Sequence, residues 1–167
     1  CLITKVSDVT AKSEDKISAE QLGNLLERIA LFGGLSEQQT NRLLDLANRT
    51  QYQDGDQVFA KGDMASDIYI VISGQVRLDF EIPKHPLSEI IFDSGSCFGE
   101  TSLIGIQPHS ASTCAMGTTQ LLSFSGTDLL SLYEHDLELF SLLILNIARE
   151  ACRRLHSTDE LFLQYRK

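Results

Sequence analysis

Tryptophan and long apolar runs are both missing from this chain of 167 residues. The longest apolar candidate, 140–148, contains Ser141 and Asn146 and is too short to cross a membrane, which takes roughly 20 residues. No signal-peptide pattern is present either. Because 43% of the residues are hydrophobic, we expect one domain with a proper core and a helical appendage.

Cysteine motifs that hold metals are missing as well. The four cysteines, Cys1, Cys97, Cys114 and Cys152, are widely spaced and form no C-x-x-C pair, which argues against a zinc or iron–sulfur site. Cys114 and Cys152 lie in apolar patterns and are predicted to be buried thiols, as in a reducing cytoplasm. Since the chain begins with cysteine, we expect a trimmed form or a piece of a longer protein.

Positive charge is scarce, with 14 lysines and arginines against 23 acidic residues and a net charge of −9. Such a chain repels phosphate backbones, so we expect it to bind neither nucleic acid nor membrane. The basic cluster of Arg149, Arg153 and Arg154 is typical of a solvated helix face.

Catalytic groupings are not found. His85, His135 and His156 are scattered and are expected at the surface, and no Ser-His-Asp, Cys-His or paired-carboxylate arrangement has supporting context. We therefore predict that the chain is not an enzyme and carries no cofactor.

The stretch from Cys97 to Ser112 holds the densest chemistry of the sequence. It predicts a turn, one short helical turn that cannot continue through Pro108, a loop, and the start of a strand. The free N–H groups at the start of a helix favour an anion, and Gly99 allows close approach to the backbone. With the Glu100 carboxylate and the Ser110 hydroxyl, this stretch forms a cradle suited to a small sugar phosphate.

The same stretch resembles the phosphate-binding cassette of the cyclic nucleotide-binding domain. The resemblance rests on Phe98-Gly99-Glu100, Leu103 and the run Pro108-x-Ser-Ala, and it has no gap from Phe98 to Ala115. That family includes catabolite activator proteins, regulatory subunits of cyclic AMP-dependent kinase and the gates of some ion channels. The resemblance implies a ligand, cyclic AMP or cyclic GMP, and a site formed by Gly99, Glu100, Thr101, Ser102, His109, Ser110 and Ala111.

One cassette position departs from the family pattern. The family has an arginine after the proline, gripping the cyclic phosphate, and this chain has His109. Histidine is mostly neutral near pH 7 and lacks the bidentate grip of a guanidinium. The pocket could therefore be an empty relic, take another small anionic or neutral ligand, or bind a cyclic nucleotide weakly with help from Arg153 or Arg154.

The remaining sequence predicts an α+β, mainly β, domain: an antiparallel, jelly-roll-like β-roll with N-terminal helices and a long C-terminal helix. After a flexible tail over 1–15, a helical segment covers 16–48. Capping boxes at Ser18 and Ser36, with Gln21 and Gln39 at their N3 positions, predict its two helix starts.

The β-roll is predicted over 49–125, with the cassette at 97–112. Alternation over Gln75 to Ile82 places Val76, Leu78, Phe80 and Ile82 inward. Turns are predicted at Ser73-Gly74 and at Gly117, each separating two short strands. The resemblance implies eight strands in all.

Two helices are predicted over 126–167. Ser125 caps a brief helix through Tyr133, and a long helix runs from about Asp136. The apolar stripe of the long helix, from Phe140 to Tyr165, is wider than a short roll needs. It either packs on the roll alone or pairs with a second copy in a homodimer, as in activator-type relatives.

Three functions remain open from the sequence. The first is a regulatory domain that senses a cyclic nucleotide or a related ligand and signals through its C-terminal helix. The second is a dimerisation or docking scaffold of the same fold without a ligand. The third is the sensor part of a transcription regulator that lacks its DNA-binding domain.

Overall fold

The computed structural model describes residue 26 and residues 29–80 and 89–165. The predicted tail, the capping box at Ser18 and the inward position of Ile82 lie outside these residues, as does His85. Of the helices within the described ranges, none combines the length and apolar character that crossing a bilayer requires.

Six strands and four helices follow a 3₁₀ turn in the described residues. The turn is Ala30–Phe32. The elements are α1 (Glu37–Leu46), β1 (Asn48–Tyr52), β2 (Gln57–Phe59), β3 (Asp67–Asp79), β4 (Glu89–Asp93), β5 (Cys97–Phe98), α2 (Glu100–Ile104), β6 (Ser112–Ser125), α3 (Gly126–His135) and α4 (Leu137–Tyr165).

The predicted helix start at Ser36 is confirmed. The Ser36 hydroxyl accepts from the Gln39 amide at 3.3 Å, and the Gln39 side-chain oxygen accepts from the Ser36 amide at 2.9 Å. This reciprocal capping box satisfies two amides that the first turn of α1 would leave free. Ser125 begins α3 in the same way, with Asp128 at the N3 position.

The strands form an antiparallel sheet around two long members, β3 and β6. These two strands pair with each other from Asp67 opposite Ser125 to Asp79 opposite Ser112. The strands β1 and β2 pair with β6, whereas β4 and β5 pair with β3. The predicted α+β, mainly β, roll with a long C-terminal helix is therefore confirmed.

The predicted turns at Ser73-Gly74 and Gly117 are wrong, because β3 and β6 each continue through their glycine. The register shifts on both sides of Ser73, and the glycines have φ of 80° and 67°. A Cβ on Gly74 would lie 2.5 Å from the Thr119 hydroxyl oxygen, so the close pairing of the strands requires glycine there. The irregularities split each long strand into two arms, which accounts for the larger number of short strands expected from the sequence.

Alternation along β3 divides the core into two layers. Ile68, Ile70 and Ile72 face the cluster packed under α4, which includes Leu139 and Leu143. Val71 faces the opposite way, and the register shift around Ser73 brings Val76 to the same face. Both join a second cluster with Leu121 and the aromatic rings of Phe59, Phe92 and Phe98. The period of two along the strand places the aromatic cluster inside the roll.

The long helix α4 is attached to the N-terminal part of the fold by one buried polar residue. Asn146 is 3% exposed, and its Nδ2 donates to the carbonyls of Leu31 at 3.1 Å and Gly33 at 2.8 Å. Two backbone acceptors at the 3₁₀ turn are thereby satisfied from α4.

The outward face of α4 corrects part of the sequence prediction. Cys152, which was predicted to be buried, is exposed, whereas Cys114 is buried as predicted. Ala148 and Leu155 of the apolar stripe are exposed as well, Leu155 by 62%. The roll therefore covers only one side of the stripe.

Candidate functional site

A small cavity lies where the aromatic cluster, the cassette and α4 meet. It contains only about 50 Å³ of free space, room for a few water molecules. Its lining combines a hydrophobic wall, one guanidinium and the residues on both sides of the cassette loop: Phe59, Leu78, Phe92, Phe98, Gly99, Thr101, His109, Ser110, Ala111 and Arg154.

The start of the cassette is fixed by β5. Phe98 pairs with Tyr69 of β3, and their rings stack with centroids 5.2 Å apart. The backbone then turns through Gly99 at φ 85° into α2, the predicted short helix. A Cβ on Gly99 would lie 2.9 Å from the Asp67 carbonyl and 3.1 Å from the Tyr69 ring, so packing alone requires this glycine. Close approach of a ligand at Gly99 stays a prediction.

Glu100 is the first residue of α2, and it is only 1% exposed. Its Oε1 forms an ion pair with Nη2 of Arg154 from α4, while its Oε2 accepts no hydrogen bond from the described residues. Glu100 is not part of the cavity lining, whereas its partner Arg154 is. The carboxylate predicted to bind a ligand thus stands immediately behind the arginine.

Arg154 connects α4 to the cassette at two points and to β4 at a third. Besides pairing with Glu100, its Nη1 donates to the Cys97 carbonyl at 3.4 Å, and its guanidinium carbon lies 5.9 Å from the centre of the Phe92 ring. Burial lowers the pKa of the Arg154 guanidinium below its ordinary value. Arg153, the other arginine considered from the sequence, pairs with Glu150 on the surface.

His109 is another lining residue of the cavity. It is 5% exposed and stacks on Phe59, with ring centroids 3.6 Å apart and planes 8° from parallel. Its amide donates to the Asp63 carbonyl at 2.9 Å, and its carbonyl accepts from Gly62 at 2.8 Å. Burial lowers the pKa of His109 below its ordinary 6.5, against a smaller opposing effect of Asp63. The imidazole is therefore neutral at pH 7.

The other predicted site residues surround the same space. Thr101 and Ser110 are exposed at the rim, and Ala111 is buried in the wall. Ser102 belongs to α2, and its side chain lies outside the described part of the chain. The structure thus brings all but two of the seven predicted residues to the cavity surface, the exceptions being Glu100 and the undescribed Ser102 side chain.

Sequence reasoning missed the hydrophobic wall. Phe59 lies at the end of β2 and Phe92 in β4, and both contact Phe98 or His109 through their rings. These strands are distant from the cassette in sequence and reach it only through pairing with β6 and β3. No local motif marks either residue.

Burial also accounts for the chemistry of Cys97 beside this site. Its side chain is buried, and burial raises the pKa of the Cys97 thiol to about 12. The thiol is therefore protonated and unreactive at neutral pH, and only its backbone carbonyl takes part in the contact with Arg154.

A β-roll whose cassette and long helix close on a cavity defines a class of small-ligand domains, and sequence comparison gives the family. Residues 49–136 match the family described as the cyclic nucleotide-binding domain. The chain belongs to this family.

Relatives and solved structures agree with this assignment. The chain is similar to the cyclic AMP receptor protein of Thermus thermophilus, 32% identical over 130 residues that are 77% of this chain and 58% of that protein. The solved catabolite activator protein of Thermus thermophilus is 33% identical with a TM-score of 0.67, covering 81% of this chain and 63% of that one.

A solved cyclic nucleotide-binding domain from Methylobacillus flagellatus has the same fold with a TM-score of 0.76. It is 21% identical, and the match covers 87% of this chain and 83% of that one. The chain therefore spans a little over half of the receptor protein and most of an isolated domain.

Proposed function

We propose that this chain is a regulatory domain that binds a cyclic nucleotide between the cassette and α4 and transmits binding through α4. The observation that carries the proposal is Glu100. It is a buried carboxylate whose Oε2 accepts no hydrogen bond from the described residues, which is a costly arrangement unless a ligand donor completes it. A sugar hydroxyl is such a donor.

The size of the cavity links ligand binding to the position of α4. About 50 Å³ is far below the roughly 300 Å³ of a small-molecule pocket. A cyclic nucleotide therefore requires the lining to open, and Arg154 is the lining residue that is carried by α4. We infer that α4 takes a second position in the complex, so that a ligand binds the two positions of α4 with different affinity, as a signal requires.

A second contact supports the same coupling. Leu103 of α2 and Phe140 and Ile144 of α4 line one apolar groove and pack on the same core cluster. A Cβ on Gly126, the first residue of α3, would lie 3.2 Å from Leu103. A movement of α2 would therefore displace the side chains that pack against the first residue of α3 and the first two turns of α4.

The scaffold alternative is favoured by one observation, the neutral and buried His109. A pocket without a free cation binds a phosphate poorly. The transcription-regulator alternative is supported by the similarity to the solved N-terminal domain of a transcriptional regulator from Streptomyces coelicolor, which is 26% identical with a TM-score of 0.66. A cytoplasmic location remains part of the proposal, supported by the thiols of Cys97 and Cys152, which form no disulfide within the described residues. A non-catalytic role is also part of it, supported by the match to a ligand-binding domain family.

The outward face of α4 supports a homodimer. Leu145, Ala148, Cys152 and Leu155 are exposed and follow at intervals of three, four and three residues. This is the spacing of a and d positions in a coiled coil. Parallel pairing of two identical helices would bury both stripes and place the two Cys152 thiols opposite each other.

Thiol cross-linking tests this dimer. In a Cys1→Ser background, the thiol oxidant diamide is expected to join two chains through Cys152, because a disulfide needs Cα atoms roughly 4–7 Å apart. Cys152→Ser is the control that should remain uncross-linked. If the Cys1→Ser protein does not cross-link and sediments with the mass of a monomer, the parallel pairing of two α4 helices is contradicted.

Isothermal titration tests the ligand itself. Wild type is titrated with cyclic AMP and cyclic GMP, beside Glu100→Ala and the control Glu134→Ala, an exposed glutamate of α3. We expect saturable binding by wild type and the control, and a loss of about tenfold or more for Glu100→Ala, since a charged acceptor is removed. Absence of binding by wild type, and also by a His109→Arg variant, would favour the scaffold.

A further inference from the structure

The charges around the cavity cancel each other. Arg154 is the one lysine or arginine among the described lining residues, and it is paired with the buried Glu100. An ion pair has no net charge to offer a phosphate. Whatever neutralises an anionic ligand here must come from another lining group, or from breaking that pair.

His109 is the lining group that can gain a charge. Its ring is stacked on Phe59 of β2 and shares the wall with the backbone of Ser110 and Ala111. Because an imidazolium donates from both ring nitrogens, protonation would turn this wall into an anion site.

The surroundings of His109 decide when it is protonated. The loop before β3 contributes Asp63, whose charge favours the imidazolium. Arg154 of α4 also lines the cavity, and its charge is offset by its partner Glu100 of α2. The strands β2, β3 and β4 contribute the uncharged side chains of Phe59, Leu78 and Phe92. The free protein holds the imidazole neutral at pH 7, and a phosphate beside it would reverse that balance.

We propose that an anionic ligand binds this cavity together with one proton taken up by His109, so that affinity for a cyclic nucleotide rises as the pH falls. The inference rests on the function proposed above. It assigns to His109 the role of a proton-dependent switch, where a permanently charged residue would give binding independent of pH.

The sign and size follow from linkage. Ligand phosphate favours the protonated imidazole, so the pKa of His109 is higher in the complex than in the free protein. Between those two pKa values the binding constant increases about tenfold for each pH unit of acidification. We expect the affinity of wild type to be about tenfold or more higher at pH 6 than at pH 8.

The experiment is isothermal titration with cyclic AMP and cyclic GMP at the two pH values, on wild type, His109→Arg and His109→Gln. A wild-type titration in two buffers of different ionisation enthalpy counts the protons taken up. Circular dichroism checks that each variant is folded. If the His109→Arg variant is unfolded, the comparison of wild type with His109→Gln tests the proposal.

The expected result is a pH-dependent affinity with proton uptake in wild type, tight pH-independent binding by His109→Arg, and weak pH-independent binding by His109→Gln. Wild-type affinity that is equal at both pH values, with no proton uptake, would overturn the switch and leave the proposed function standing. The same pH dependence in His109→Gln would also overturn it. If neither wild type nor a folded His109→Arg binds, the proposed function fails as well.

Discussion

Replacing Arg154 with methionine removes the guanidinium that closes the cassette against α4 and keeps much of its length. The variant leaves Glu100, at 1% exposed, buried without its cation. Breaking a buried ion pair by removing one partner typically destabilises a protein by about 3–5 kcal/mol. The Arg154 side chain is 32% exposed, so solvent screens part of the interaction, and we expect a loss of about 2–3 kcal/mol.

The assay is urea unfolding at pH 7 and fixed protein concentration, since a dimer would make stability depend on concentration. In a thermal scan the same loss of unfolding free energy lowers the melting temperature by roughly 4–12 °C for a chain of this size. Arg153→Met is the matched control. Its partner Glu150 lies on the same helix face and the Arg153 side chain is 62% exposed, so a change of at most about 0.5 kcal/mol is expected.

A double-mutant cycle with Glu100→Gln isolates the pair itself. Glutamine keeps the shape of the side chain without its charge, so the double variant should recover part of the loss. We expect a coupling energy of about 1–2 kcal/mol. Additive effects, or an Arg154→Met variant as stable as Arg153→Met, would refute the buried ion pair as the contact that closes the cavity.

Three further outcomes can be checked by the same unfolding measurements. Gly74→Ala should lose about 2 kcal/mol more than Gly117→Ala, because both have positive φ but only the first Cβ meets Thr119, at 2.5 Å; equal losses would contradict this. Asn146→Leu should lose about 1–2 kcal/mol, since the buried carbonyl of Leu31 and the part-buried carbonyl of Gly33 lose their donor, and a neutral effect would contradict it. Burial lowers the folded-state pKa of His109 below 6.5, so the contribution of the neutral imidazole to the free energy of unfolding is present above that pH and is lost as the pH falls through the folded-state pKa. Wild type should therefore lose stability on acidification relative to His109→Gln. Plots of the free energy of unfolding against pH that run parallel for the two proteins would contradict this.

Local patterns were sufficient for much of the fold. The capping box at Ser36 and the cap at Ser125 depend on neighbouring residues alone, and both are present. The glycines at 74 and 117 were misread as turns, because a turn and an irregular strand need the same backbone conformation. Only the pairing of β3 with β6 decides between them, and pairing is not a local property.

The candidate site was predictable where it is continuous in sequence. Gly99, Ser110 and Ala111 come to the cavity within one segment, and Arg154 was one of two arginines considered. The stacking of His109 on Phe59 was not predictable, since 50 residues of chain separate the two rings and strand pairing brings them together. The exposure of Cys152 depends likewise on how much of α4 the roll covers.

The most direct test of the central claim is to map the ligand position by two-dimensional amide NMR on the labelled chain with cyclic AMP and cyclic GMP. The account predicts that signals of Gly99, Ala111 and Arg154 shift on binding, whereas those of Gly55 and Gly117, which lie outside the cavity lining, do not. Shifts confined to residues outside the cavity, or an unchanged spectrum at about pH 6 under saturating ligand, would contradict it.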